Sequence, residues 1–210
     1  MNEHDLVRAA RLHREHLPHG LFPSLGERFL RRYLRTYLNT PTAVALAIEG
    51  EHGMFGFLCG TVDRRAHREH VLRHHAASLV RGGVISLTSH PAVAMRFVRT
   101  RAWRYLIALL QVARRRRAEA PTAGAHGEAS PAVLAHLVVT PQGRCAGAGA
   151  ALVGAFEVVA RERGLARAEL LTLPGEAGAG RFYERLGWRS GELCSDRDGV
   201  SWVRYQKLLG

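Results

Sequence analysis

The chain has 210 residues, of which 47% are hydrophobic and 23% charged, with a formal net charge of +12. This size and composition predict one globular domain with a substantial core and argue against two domains or a bilayer-spanning segment. The start Met-Asn-Glu-His-Asp does not resemble a secretion signal, and three cysteines without metal-like spacing favour a reducing cytoplasm and no bound metal.

The first elements in chain order are two helices and a hairpin. A helix over about 3–17 places Leu6, Ala10 and His13 on one face, and a second helix carries apolar residues from Phe29 to Leu38. Segments 43–48 and 54–62 are then typical of two strands joined by a tight turn. There is scarcely room for a strand before the first helix.

Residues 64–131 predict a helical insertion with helices over 65–80 and 91–117 and a return loop over 118–131. The second helix is amphipathic and basic, which favours a lid over a pocket or a homodimer contact. The run Arg114–Arg117 and the net charge of +12 are also compatible with nucleic-acid binding. We rank this function lower, because basic residues at a helix C-terminus are equally explained by their interaction with the helix dipole. His67, His70 and His74 share one helix face, for which a solvated face is favoured over a metal site.

The most informative stretch is residues 139–149, where a branched apolar strand over 133–139 meets an apolar helix through a basic turn rich in glycine. Gly147 and Gly149 let a ligand approach the first helical turn, whose amide groups lack intrahelical partners. Arg144 and the helix dipole add positive potential, so the junction predicts a pyrophosphate site. No Gly-Lys-Ser/Thr follows to hold a nucleoside triphosphate, and G-x-G-x-x-G is absent.

These residues resemble a known family. The run Val139-x-Pro141-x-x-Arg144-x-x-Gly147-x-Gly149, a helix that ends before Gly164, a strand over 168–173 and the segment 181–188 are similar to the core of the GCN5-related N-acetyltransferases, or GNAT. The resemblance is strong over about 132–190, looser over 20–62 and poor over 64–131.

The resemblance implies a mixed α/β fold with a mostly antiparallel central sheet that splays at the family's fourth strand, helices on both faces, and the insertion 64–131 between the third and fourth strands, all in one domain over 1–210. It implies acetyl-CoA as acyl donor. The pantetheine arm of acetyl-CoA would pair along the strand near Leu137, Val138 and Val139, and the pyrophosphate of acetyl-CoA would bind at the turn. The turn residues are Arg144, Cys145, Ala146, Gly147, Ala148, Gly149 and Ala150.

Acyl transfer to an amine requires a neutral nucleophile, a polarised carbonyl and a proton for the departing thiolate. In a helix over 177–186, Tyr183 borders the apolar stripe, and the resemblance implies that it protonates the thiolate; a packed tyrosine is the alternative. His136 is the nearest titratable candidate for the base. Strand alternation places it with Leu134 and Val138 on a core face unless a bulge shifts the parity. A water chain is the default route for the proton.

Three positions depart from the family pattern. Cys145 replaces a usual glycine, Glu176 stands where an asparagine commonly contacts CoA, and Val133 occupies the place of a frequent glutamate base. The prediction is N-acetylation of a small-molecule amine, such as an amino sugar or secondary metabolite, by direct transfer in a ternary complex. The alternatives are a macromolecular amine on a protein or aminoacyl-tRNA, and a regulatory CoA-binding module without catalysis.

Overall fold

The structure, a computed structural model, describes residues 1–18, 21–38, 40–50, 53–89, 95, 130–195 and 199–210. Its helices in chain order are α1 (Asp5–His16), α2 (Leu21–Ser24), α3 (Glu27–Arg35), α4 (Arg64–His74), α5 (Ala76–Ser89), α6 (Pro141–Cys145), α7 (Ala148–Glu162) and α8 (Gly180–Arg185). The strands are β1 (Ala43–Gly50), β2 (Gly53–Thr61), β3 (Ala132–Val139), β4 (Arg167–Thr172), β5 (Arg189–Ser195) and β6 (Ser201–Leu208). A 3₁₀ turn spans Gly175–Ala177.

The six strands form one sheet in the order β1-β2-β3-β4-β6-β5. Every neighbouring pair is antiparallel except β3 and β4, which run parallel. The mixed, mostly antiparallel sheet is therefore confirmed. The described residues before α1 form no strand, as the sequence predicts.

Apolar clusters cover both faces of the sheet. Against one face, α7 packs with Phe156, Leu152 and Val153, together with Trp188 from the segment before β5. Against the other face, α1 and α3 contribute Leu6, Leu12, Leu30 and Leu34, which are fully or almost fully buried. Because these side chains recur with the 3.6-residue period of a helix, each helix has an apolar face that packs on the sheet.

The first inserted helix departs from its prediction. A single helix over 65–80 is wrong, because α4 ends at His74 and α5 runs from Ala76 to Ser89. Gly82 and Gly83 lie inside α5, where a Cβ on Gly82 would come within 3.0 Å of Arg32. These glycines therefore permit close packing of α5 on α3 instead of ending a helix. The predicted helix over 91–117 lies outside the described residues, apart from Met95.

A buried carboxylate links α7 to β6. Glu157 is 5% exposed, and Lys207 Nζ donates to both of its oxygens at 2.8 Å. Trp188 Nε1 donates to Oε1 at 3.0 Å, and Arg161 lies within 3.4 Å of Oε2. The charge is thus paired and hydrogen-bonded, which burial demands.

Removal of Lys207 should destabilise the fold strongly. Lys207→Met leaves the Glu157 carboxylate with fewer partners, so the free energy of unfolding should fall by about 3 kcal/mol or more. Urea unfolding followed by circular dichroism measures this change. The exposed Arg35–Glu3 pair is the control, since Arg35→Met should cost no more than about 1 kcal/mol. Equal losses in the two variants would contradict the role given to Glu157.

Candidate active site

A cleft of about 890 Å³ opens where β3 and β4 separate. The two strands pair only over Ala132–Leu134 and Ala168–Leu170 among the described residues. Beyond this point both strands line the cleft, β3 through Leu137 to Val139 and the β4 side through Leu171 to Leu173. The predicted splay is confirmed, and it leaves backbone groups of β3 facing an open groove.

Helix α7 points its N-terminus at one end of this cleft. Its N-cap, Gly147, has φ +72°, a left-handed conformation that only glycine adopts easily. The N-cap makes no side-chain hydrogen bond, and Gly147, Gly149 and Ala150 line the cleft. The first amide groups of the helix are donors without intrahelical acceptors, which suits an anion.

The turn before α7 contains a short helix instead of irregular backbone. In α6, Pro141 occupies the first turn and the Thr140 hydroxyl accepts from Gly143 N at 3.3 Å. This cap fixes Arg144, whose Nε donates to Val139 O at 3.2 Å and whose exposed side chain lines the cleft. A guanidinium is thus held beside the α7 N-terminus.

Gly149 has a different role from the one expected. A Cβ at this position would lie 3.1 Å from Phe182 Cζ and 3.5 Å from Val139 Cγ2. The absence of a side chain at Gly149 therefore makes room for Phe182 and Val139, and this packing explains the glycine more directly than the approach of a ligand does. Gly147 shows no contact for such a Cβ within 4 Å, so its requirement comes from its backbone conformation.

Most residues assigned to the donor border the cleft. Those that line it are Leu137, Val138, Val139, Arg144, Gly147, Gly149 and Ala150. Ala146 is exposed and Ala148 is buried, and neither lines the described part of the cleft. The side chain of Cys145 lies outside the described residues.

Tyr183 lies in the core as well as at the cleft. It is 5% exposed, more buried than a residue that only borders an apolar stripe, and it packs edge-on against Trp188 at 5.9 Å. Its helix is shorter than predicted, since α8 spans Gly180–Arg185. Burial raises the pKa of the Tyr183 hydroxyl above its ordinary value, so the group carries its proton at neutral pH.

A bulge in β3 places His136 on the opposite face from Leu134. Cys59 pairs with His136 and Gly60 with Leu134, so Ala135 is the extra, exposed residue. The expectation that His136 shares a face with both Leu134 and Val138 is therefore wrong for Leu134. His136 and Val138 face α1 and α3, whereas Leu134 packs toward α7.

His136 belongs to a chain of hydrogen bonds between α1 and α3. Its Nδ1 lies 3.2 Å from His13 Nε2, and its Nε2 lies 3.1 Å from Tyr33 Oη. Tyr33 Oη lies 2.9 Å from Tyr37 Oη. Both ring nitrogens of His136 thus have protein partners, and both His13 and His136 line the cleft.

Burial keeps both histidines neutral. It lowers the pKa of His13 to about 4, and burial together with the nearby His13 lowers the pKa of His136 to about 3. The polar groups that face the pair are the hydroxyls of Tyr33 and Tyr37, and burial raises the pKa of Tyr37. No side chain in this chain of contacts is a carboxylate.

These pKa values predict acid sensitivity of the fold. An unfolded histidine binds a proton below about pH 6.5, whereas His13 and His136 stay neutral in the folded state down to about pH 4 and 3. Stability should therefore fall with decreasing pH from 6.5, by about 1.4 kcal/mol per pH unit for each histidine. Urea unfolding at pH 7 and pH 5 tests this, with His13→Gln expected to show a smaller pH dependence. An equal dependence in the variant would contradict the prediction.

His67 corrects the expectation of a wholly solvated histidine face on α4. It is 9% exposed, and its ring lies 4.8 Å from that of Tyr37, while His70 and His74 stack with each other at 4.7 Å. Among the described residues, no group of three or more potential ligands is arranged to hold a metal. No helix in the described part of the chain is long and apolar enough to cross a membrane.

Glu176 lines the cleft but does not cap α8. The helix follows Ala179, whose backbone N–H donates to Thr172 Oγ1 at 3.0 Å, and the cap has no side-chain bond of its own. Glu176 is exposed in the 3₁₀ turn, on the β4 side of the cleft.

The opposite wall comes from α1 and the segment after it. Leu17, Pro18, Phe22 and Pro23 line the cleft there, and Phe22 packs against Tyr33 with ring centroids 4.4 Å apart. The sequence pattern placed His13 only on the inner face of a helix, and the polar character of that position was the available signal.

Part of the sequence matches a family model. Residues 117–209, fewer than half of the chain, match the model described as "Acetyltransferase (GNAT) domain". The matched segment includes β3, α6, α7 and the strands β4 to β6, and it contains most of the residues that line the cleft.

Several solved structures share the fold. An aminoglycoside 6'-N-acetyltransferase complexed with coenzyme A has a TM-score of 0.57 at 13% identity, and the match covers 100% of this chain and 93% of that protein. Ard1 from Thermoplasma volcanium has a TM-score of 0.56 at 13% identity, covering 99% and 93%. SsHAT has a TM-score of 0.53 at 22% identity, covering 99% and 92%. No curated protein matches the sequence significantly.

Proposed function

We propose that the protein transfers the acetyl group of acetyl-CoA to the amine of a small molecule by direct attack within a ternary complex. The observation that carries this proposal is the shared cleft. It joins the uncapped N-terminus of α7, the open edge of β3 and the wall formed by His13 and Phe22 in one space of about 890 Å³. That volume suits a small acceptor beside the donor.

The donor end fits coenzyme A. Amides at the start of α7 would hold the diphosphate, and the exposed Arg144 guanidinium adds a positive charge at the same point. The backbone of Leu137 to Val139 would pair with the amides of the pantetheine arm, because β4 leaves this edge of β3 unpaired. Glu176 is the one carboxylate among the described lining residues, and it lies on the β4 side, away from α6 and α7.

Tyr183 is the proposed proton donor to the leaving thiolate. Its hydroxyl is held in the protonated form by burial, and the ring is fixed by contacts with Phe182, Trp188 and Tyr205. A fixed acid near the sulfur lowers the cost of thiolate departure. Coenzyme A supplies the activated thioester, and the protein supplies the position of the amine and the proton.

Direct transfer is favoured over an acyl-enzyme. Cys59 is fully buried on β2, burial raises the pKa of its thiol, and its side chain packs with α1 and α3. Cys194 lies on β5 and does not line the described cleft. A nucleophilic cysteine must reach the thioester, and neither residue lines the described cleft.

A small acceptor is supported by the enclosed wall of Leu17, Pro18 and Phe22. The name of a structural neighbour, an aminoglycoside acetyltransferase, also indicates a small amine for that protein. We further propose that the chain is one domain over 1–210 in which residues 64–131 are an insertion.

The test is release of free CoA thiol from acetyl-CoA by the purified protein. The acceptor panel contains tyramine, glucosamine, kanamycin and spermidine, with an N-terminal peptide and an aminoacyl-tRNA as macromolecular arms. We expect release with at least one small amine, together with an acetylated product in mass spectrometry. Release with only the peptide or tRNA, or CoA binding without any turnover, would contradict the proposal.

A further inference from the structure

The cleft reaches both faces of the sheet, and its lining shows which strand residues belong to the face opposite α7. Leu170 packs with Phe156 of α7, so the next residue of β4, Leu171, points to the opposite face, because side chains alternate along a strand. Val203 packs in the same cluster, which places Trp202 of β6 on the face of Leu171. Leu171 and Trp202 both line the cleft, on the side of the sheet where α1 and α3 pack.

This side of the cleft has an accessible apolar lining. We call it the acceptor compartment and define it by Leu17, Pro18, Phe22, Leu171 and Trp202. Leu171 is 55% exposed, and Phe22 and Trp202 are half-buried, so a ligand can reach their side chains from the cleft. Large apolar groups that remain exposed inside a concave site are typical of a ligand pocket.

The charges in the cleft argue against an acceptor with several positive charges. Among the described lining residues, Glu176 is the one carboxylate, and it lies in the exposed turn after β4. Arg144 and Arg185 line the same cleft and are exposed, and the whole chain has a net charge of +12. A ligand with several ammonium groups is repelled by like charge and needs several carboxylates to bind, so this site selects against it.

We propose that the acceptor is a monoamine with an apolar, aromatic body, and that Phe22, Leu171 and Trp202 bind this body. The proposal rests on the proposed function and narrows its substrate class, since it favours such an amine over an amino sugar or a polyamine. An aromatic ring gains free energy when it leaves water, and contacts with other aromatic rings add to this gain. Phe22 and Trp202 determine specificity in this account and take no part in the chemistry.

A comparison of acceptors tests the substrate class. Thiol release by the full chain with acetyl-CoA is measured for phenethylamine and tyramine and for glucosamine, kanamycin and spermidine. We expect kcat/KM for the two aromatic monoamines to exceed that for each of the other three at least about tenfold. An equal or higher kcat/KM for glucosamine, kanamycin or spermidine would overturn the proposal and leave the proposed function intact. Absence of thiol release with every small amine would instead overturn the proposed function.

Replacement of Trp202 tests the acceptor compartment itself. Trp202→Ala should raise the KM for phenethylamine about tenfold, while kcat and the KM for acetyl-CoA change less than about threefold, because only acceptor binding is lost. Trp202→Phe keeps an aromatic ring and should restore most of the affinity. Leu208→Ala is the control, since Leu208 is an exposed residue of the same strand that does not line the described cleft. Its KM values should stay within about twofold.

The Trp202 variants have a decisive negative outcome. Circular dichroism melting checks that each variant folds. A folded Trp202→Ala protein with the wild-type KM for phenethylamine would overturn the proposal, because the aromatic body would then bind elsewhere.

An added carboxylate tests the charge argument. Leu171 is exposed, so Leu171→Glu should leave the core unchanged. We expect kcat/KM for spermidine relative to phenethylamine to rise at least about fivefold in this variant, because the new carboxylate attracts a second ammonium group. Leu171→Gln has the same size without the charge and should leave this ratio within about twofold of the wild-type value. An unchanged ratio in Leu171→Glu would overturn the selection against polycations.

Discussion

Affinity for acetyl-CoA is expected to fall more than about tenfold when Gly147 is replaced by valine. Gly147 has φ +72°, which a β-branched residue adopts only with strain. Relief of that strain would rotate the first turn of α7 and move the amides that hold the diphosphate. Isothermal titration calorimetry of the purified variant with acetyl-CoA measures the loss.

Gly154 provides a matched control in the same helix. It is exposed in the middle of α7, and a Cβ there would meet nothing within 4 Å. Gly154→Val should keep the affinity within about twofold, since valine is no worse than glycine inside a helix. If Gly147→Val bound acetyl-CoA like the wild type, the α7 N-terminus would not be the diphosphate site.

Turnover should fall about 100-fold in Tyr183→Phe while acetyl-CoA affinity stays within about twofold. The phenylalanine keeps the contacts with Trp188 and Phe182, so only the proton donor is lost. Steady-state thiol release gives kcat, and calorimetry gives the affinity. This separation of kcat from binding is expected of an acid that acts on the leaving thiolate.

Tyr205→Phe is the control for the loss of a tyrosine hydroxyl in this core. Tyr205 packs 6.2 Å from Tyr183, donates to Glu184 at 2.9 Å and does not line the described cleft. Its replacement should change kcat by less than about threefold. Unchanged turnover in Tyr183→Phe would favour a packing role for that residue. If the wild-type protein itself showed no turnover, a regulatory CoA-binding module would be favoured.

Much of the donor end could be predicted because it depends on local backbone rules. A branched strand, Pro141, Gly147 and a helix of small residues prescribe a strand-turn-helix junction almost independently of the rest of the fold. The short helix α6 was not predicted, since a single turn leaves no periodic pattern. The packing of Gly149 against Phe182 depends on a contact across 33 positions of sequence, which no local rule contains.

The surroundings of His136 could not be read from alternation alone. One extra residue, Ala135, reverses which side chains face α1 and α3. A bulge is specified by pairing with another strand, so it leaves no signature in the single strand that carries it. The partners His13 and Tyr33 come from two helices more than 100 positions away, and only the folded chain brings them together.

The insertion shows a different limit. Gly82 and Gly83 weaken a helix in isolation, but packing of α5 on α3 overrides that preference. The buried cluster around Glu157 was likewise not anticipated, because a glutamate on a helix is usually exposed and its partner Lys207 is 50 positions away.

The most direct test of the central claim is a crystal structure of the protein with coenzyme A. We predict that diphosphate oxygens lie about 3 Å from the backbone nitrogens at the start of α7, with Arg144 alongside and the pantetheine arm paired to β3. A diphosphate bound at any other place, with the α7 N-terminus covered by protein side chains, would contradict the account.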